Sequence, residues 1–103
     1  MTDTFVALSD PTRRQLLDRL SAHGGLTLSD LTAGLPMTRQ AVAKHLAVLE
    51  AAELVATTRD GRCKRHYLNP LPLAKMARRW LGRFEDVPMG AAAGFAGQSS
   101  RAH

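Results

Sequence analysis

Apolar residues in the first half of the chain recur at helical spacing. Leu16, Leu17 and Leu20 share one side of a run that opens at Asp10-Pro11 and stops at Gly24-Gly25. This predicts a helix over about 11–22, with Asp10 as its cap and Pro11 in the first turn, where a missing N–H costs nothing. Phe5, Val6 and Leu8 precede it as a short separate helix. Thr27 with Asp30 three residues later has the form of a capping box, and Leu28 and Leu31 give about two helical turns that end at Gly34. Leu35-Pro36-Met37 then reads as a tight turn that leaves Thr38 free to cap the next helix. Val42, Leu46 and Leu49 stand at i, i+4 and i+7, the buried stripe of a helix over about 38–52 whose far side shows Gln40, Ala43, Lys44 and Ala47.

After Glu53 the period changes from 3.6 to 2. Leu54 to Arg59 and Arg62 to Leu68 flank Asp60-Gly61, a strong hairpin signal that predicts a type I′ turn centred on those two residues. Such a turn places Arg59 opposite Arg62. Like charges facing each other cost stability, so the hairpin tip is expected to meet a negative partner. Asn69-Pro70-Leu71-Pro72 ends the second strand. Leu73, Met76, Trp80, Leu81 and Phe84 then form one face of a last helix, opposite Lys75, Arg78, Arg79 and Arg83. From Glu85 onward the chain is rich in Gly, Ala and Ser and has no period, so residues 85–103 are expected to be a disordered tail behind one domain over 1–84.

Composition narrows the function. The 103 residues are 45% hydrophobic, enough for one modest core. The net charge of +5 is unevenly placed: residues 1–35 hold three arginines against four aspartates, whereas 36–70 hold Arg39, Lys44, Arg59, Arg62, Lys64 and Arg65 against three acids. An anionic partner for the middle of the chain is the expectation. Cys63 stands alone, which excludes an internal disulfide and a multi-thiolate metal site. No apolar run is long enough to span a membrane, and the first residues lack the features of a signal peptide, so a cytoplasmic location is expected. Catalysis is not expected, because no nucleophile–base order, carboxylate pair or phosphate loop is present. No cofactor is expected either. His45, at the border of the buried stripe, reads as a hydrogen-bonded packing residue. Cys63 and His66, three apart on one strand, point to opposite faces and do not make a metal pair.

Two short helices joined by a tight turn, followed by a basic hairpin, is the element order of a winged helix-turn-helix. A helix fits the major groove, and a basic hairpin beside it reaches the neighbouring backbone. The expected class is therefore mainly α with a two-stranded wing and about five helices. The ordered segments Ala7-Leu8-Ser9-Asp10-Pro11-Thr12-Arg13-Arg14, Leu28-Ser29-Asp30-Leu31, Ala41 to Val55, Asp60-Gly61-Arg62 and Tyr67 resemble the ArsR/SmtB family of bacterial winged-helix repressors over residues 5–84. The resemblance implies a homodimer that binds a palindromic operator in double-stranded DNA and represses transcription. It places Thr38, Arg39, Gln40, Ala43 and Lys44 on the recognition helix. Arg59, Arg62, Lys64 and Arg65 lie on the wing, where they read as DNA contacts, as edge-strand charges that block aggregation, or as both. For Phe5, Leu73, Met76, Trp80, Leu81 and Phe84 the pattern alone leaves core and interface open; the resemblance implies the dimer seam. The family's usual metal-sensing motifs are missing: residues 26–35 have no Cys or His, and residues 71–84 have no Cys, His, Asp or Glu. Glu53 stands where this family commonly has glycine, which is expected to shift the helix ending slightly. The competing reading is a winged-helix module that binds protein or RNA without reading DNA sequence; a protein-binding one would show an apolar outer stripe on residues 38–52.

Overall fold

The computed structural model describes residues 3–81, in the order α1 (Thr4–Leu8), α2 (Pro11–Ala22), α3 (Leu28–Thr32), α4 (Arg39–Ala51), β1 (Val55–Asp60), β2 (Cys63–Leu68) and α5 (Leu71–Leu81). Five helices and one antiparallel hairpin make a winged helix-turn-helix. The expected tail over 85–103, with Arg83 and Phe84, lies outside the described residues.

Each helix start in the body has its own cap. Asp10 accepts from the Arg13 amide at 3.0 Å with Pro11 in the first turn of α2, and Thr38 Oγ1 accepts from the Ala41 amide at 3.1 Å to start α4. The box at α3 is reciprocal. The Asp30 amide donates to Thr27 Oγ1 at 3.2 Å, and the Thr27 amide donates to the Asp30 carboxylate at 3.0 Å. Leu16, Leu31, Val42, Leu49 and Leu54 are fully buried where α2, α3 and α4 meet the base of the hairpin. Each such side chain contributes about 1.5–3 kcal/mol by leaving water.

At Glu53 the helix ends without a glycine. Glu53 takes up the left-handed conformation itself, with φ of 61°. The Glu53 amide bonds the Glu50 carbonyl and the Leu54 amide bonds the Leu49 carbonyl, both at 2.9 Å. Those two bonds, with Leu54 and Leu49 buried together, define a Schellman ending of α4 in which glutamate holds the usual glycine position.

The hairpin corrects the expected register by one residue. Asp60 pairs with Cys63 and Arg59 with Lys64, so Gly61 and Arg62 are the turn, and Arg59 does not face Arg62. Gly61 has φ of 63° while Arg62 is not left-handed, the sign pattern of a type II′ turn rather than type I′. Only one residue then needs positive φ, and glycine supplies it without strain. Like charges still oppose, now as Arg59 and Lys64. On its other edge β2 carries an isolated bridge to Leu26, in which the His66 amide donates to the Leu26 carbonyl at 2.9 Å and the Gly25 amide to the His66 carbonyl at 2.8 Å. His66 is buried, and its Nδ1 also reaches the Leu26 carbonyl at 2.8 Å. A carbonyl only accepts, so Nδ1 carries the proton.

By its contacts the chain divides after Leu73 into two units. Within the first, Leu73 is partly buried against the core, one of the two places that the pattern alone leaves open for it. Of the second, residues 74–81 are described. They continue α5 with Met76 half-buried, Trp80 and Leu81 exposed, and the Arg79 guanidinium 5.8 Å from the Trp80 ring centroid.

Candidate nucleic-acid interface

α4 separates its residues by face. Val42, Leu46 and Leu49 are buried, while Thr38, Arg39, Gln40, Ala43, Lys44 and Ala47 are exposed. The outer row is polar or small, without the apolar stripe that a protein-binding helix would show. The turn before it is short because Leu35-Pro36-Met37 cannot continue α3, and Leu35 and Met37 pack against the core, which fixes where α4 begins. His45 sits at the rim of the buried stripe as expected: its Nδ1 lies 3.4 Å from Arg13 Nη1 and 3.8 Å from the Asp10 carboxylate. Asp10 titrates below its ordinary range, chiefly because the Arg13 amide donates to the carboxylate, with His45 adding a smaller attraction.

The expected wing cations differ in their partners. Arg59 and Arg62 are exposed, and between them their guanidiniums make one long contact within the described residues, 3.5 Å from Arg59 to the Arg62 carbonyl. Lys64 is instead held by Glu50 of α4 at 3.0 Å, which ties the hairpin to the recognition helix. Arg65 donates to the Asp60 carboxylate at 3.0 Å and to the Gly25 carbonyl at 2.8 Å. The Asp60 bond holds Arg65 even more firmly protonated than usual. Arg65 therefore braces the hairpin against the loop after α2, where the Tyr67 ring also covers Gly24 and Gly25.

Glu50, Ser29 and Thr27 were not visible as site residues in the sequence. Arg39 donates to Ser29 Oγ, and Thr27, Ser29, Arg39, Arg62, Cys63 and Lys64 surround one cavity. Glu50 and Lys64 are 14 residues apart and Arg39 and Ser29 are 10 apart, so no local spacing announces either contact. Among the described residues, no three of His, Cys, Asp and Glu gather where they could hold a metal ion, and no helix is long and apolar enough to cross a membrane.

Comparison with known proteins agrees with this geometry. A helix-turn-helix domain family matches residues 8–58. The HTH-type transcriptional regulator YuzN of Bacillus subtilis is 45% identical over 83 residues, covering 75% of this chain and 90% of the relative. The transcriptional repressor SdpR of Bacillus subtilis is 35% identical over 69 residues, covering 67% of this chain and 76% of the relative. The solved structure of an ArsR-like transcriptional regulator from Rhodococcus sp. RHA1 superposes with a TM-score of 0.68 at 41% identity, covering 79% of this chain and 74% of that one. A chain with this element order, this outer row on α4 and these relatives is a DNA-binding regulator of transcription, and it belongs to the ArsR/SmtB family of winged helix-turn-helix proteins.

Proposed function

We propose that the protein is a homodimeric repressor that reads a palindromic operator in double-stranded DNA, acts in the cytoplasm, and needs no catalytic group, cofactor or metal. The observation that carries this reading is the division of α4 into a buried apolar stripe and an exposed row of Thr38, Arg39, Gln40, Ala43 and Lys44. Gln40 matches the acceptor and donor pattern of a base edge, Arg39 and Lys44 suit groove acceptors or phosphates, and Ala43 lets the helix approach closely. Arg59 and Arg62 supply sequence-independent contact to phosphates or the minor groove, while Lys64 and Arg65 add charge from positions fixed by their ion pairs. Repression is the activity named for the relative SdpR. The polar outer row of α4 argues against a protein-binding module in its place.

A dimer is supported by apolar residues left exposed on two helices. Phe5 is 53% exposed and Val6 55% on α1, and Trp80 is 47% exposed and Leu81 50% on α5. Adjacent exposed apolar residues on one helix, as at Phe5 and Val6, suit a partner surface. Phe5, Met76, Trp80 and Leu81 are the residues assigned to that seam; Phe84 lies outside the described residues, and Leu73 contributes from its place against the core. Two measurements test the whole reading. Sedimentation of the full chain at micromolar concentration should give the mass of two chains, and fluorescence anisotropy should give operator affinity above that for random duplex. One-chain mass with equal affinity for both duplexes would overturn it.

A further inference from the structure

Three segments distant in sequence meet around a cavity of about 320 Å³: Thr27 and Ser29 at the start of α3, Arg39 at the start of α4, and Arg62, Cys63 and Lys64 of the turn and β2. Leu28 adds one apolar wall, and the other walls carry donors. Arg39 spends one donor on Ser29 Oγ and keeps the rest of its five, Lys64 spends one on Glu50 and keeps two, and Arg62 is exposed. Among the described residues no carboxylate lines the cavity. Asp30, close by in sequence, is turned to the Thr27 amide. Two arginines and a lysine that line one space, with Glu50 taking only part of the Lys64 ammonium, suit a group that offers several anionic oxygens around one centre.

We propose that this cavity seats a single phosphate group, filled by one backbone phosphate of duplex DNA and held jointly by Arg39, Arg62 and Lys64. The inference rests on the DNA-binding reading of this face and adds to it that three cations share one phosphate instead of serving three. Sharing has a measurable signature. The slope of log affinity against log salt counts phosphates neutralised, at about 0.9 per phosphate. Arg39→Gln, Arg62→Gln and Lys64→Gln are each expected to lower the slope by less than half a unit, because the remaining two cations still neutralise the same phosphate. The triple variant is expected to lower it by about one unit.

The experiment is anisotropy titration of the full chain and these variants on one duplex at several chloride concentrations, with folding matched by circular dichroism. A loss of nearly three units in the triple variant, or no loss in a triple variant that still binds, would overturn shared seating. If the wild-type chain binds no duplex at all, the DNA-binding reading itself has failed, which is a separate result.

A second measurement needs no variant. Cys63 lines the cavity and is exposed, so its alkylation by iodoacetamide reports occupancy. Saturating duplex should slow that alkylation at least tenfold; an unchanged rate in the saturated complex overturns the proposal. In a third arm, inorganic phosphate replaces chloride at matched ionic strength with no DNA present. Protection by inorganic phosphate, together with an unaltered salt slope in the triple variant, would assign the seat to a free phosphate and overturn the backbone assignment.

Discussion

Arg19 of α2 and Arg59 of β1 carry the same guanidinium into opposite circumstances. Arg19 Nη1 reaches the Leu31 carbonyl at 3.0 Å and the Ala33 carbonyl at 2.7 Å, closing the end of α3 onto α2. Arg13 does the same for α1 through the Ala7 and Val6 carbonyls at 2.7 and 3.0 Å, and Arg14 through the Leu8 carbonyl at 2.6 Å. Both short helices, only five residues each, thus have their orphan carbonyls satisfied by arginines of a longer neighbour. Arg39, Arg59 and Arg62 stand instead in the middle of the sequence, exposed and, among the described residues, with most of their donors available. The N-terminal third spends its arginines on holding shape, and the α4–wing region keeps its own for a partner. Local charge counts alone therefore misjudge a basic surface: what matters is how many carbonyls already surround each cation.

The largest expected effect comes from breaking a staple. Arg19→Ala leaves the α3 carbonyls without their charged donor and should lower unfolding stability by about 2 kcal/mol, read as an earlier urea midpoint at unchanged slope. DNA affinity of the folded fraction should stay within about twofold. A variant that kept its stability but lost affinity would move Arg19 into the binding region and undo the contrast.

Next in size is a change on the binding side. Gln40→Ala is expected to cost about 1–3 kcal/mol on the operator and little on random duplex, because a base contact carries sequence information. Arg59→Ala should weaken both duplexes alike and flatten the salt slope by about one unit. Neither should change unfolding stability by more than about 0.5 kcal/mol, since both side chains are exposed. Equal loss on both duplexes for Gln40→Ala would mean that α4 does not read sequence.

The two regions also differed in how far the sequence disclosed them. The span of α2, the capping box at Thr27 and Asp30, and the stripe of Val42, Leu46 and Leu49 were all legible, because each depends on residues within one or two turns of each other. The hairpin was legible as a hairpin but misplaced by one residue. Asp60-Gly61 would have required left-handed backbone at aspartate, whereas the observed register confines it to Gly61 and leaves Asp60 diagonal to Arg65, close enough for their 3.0 Å bond. The staples, the Glu50–Lys64 pair and the bridge between Leu26 and His66 join residues 6 to 40 apart, and only the packed core sets those distances. Which wing cations are already engaged was hidden for the same reason.

A smaller effect is expected at the end of α4. Glu53 holds φ of 61°, where a side chain crowds the following carbonyl and glycine does not. Glu53→Gly should raise stability by about 1 kcal/mol, net of the extra chain entropy glycine loses on folding. The Schellman bonds stay in place, so operator affinity and salt slope should be unchanged. A stability loss would show that the glutamate side chain contributes more than its backbone strain costs.

The smallest expected effect is on the acid limb of stability. The Thr27 amide, and then its hydroxyl, bond Asp30 and hold its carboxyl below the usual carboxylate range. A carboxyl with a lowered folded pKa stabilises the fold at pH values above its unfolded pKa, near 4, and that contribution disappears as pH falls through the folded value. Asp30 is surface-exposed, so solvent screening keeps the contribution small. Asp30→Asn should therefore be less stable than wild type at pH 6, and the gap should narrow progressively below pH 4, when urea midpoints of the two chains are compared across that range. Its salt slope on duplex DNA should match wild type, because Asp30 caps α3 and contributes no cation. Parallel pH profiles for the two chains would mean that the box at α3 contributes geometry without a titrating charge, and the shape-holding region would then owe its acid sensitivity to Asp10, whose carboxyl is lowered by the Arg13 amide.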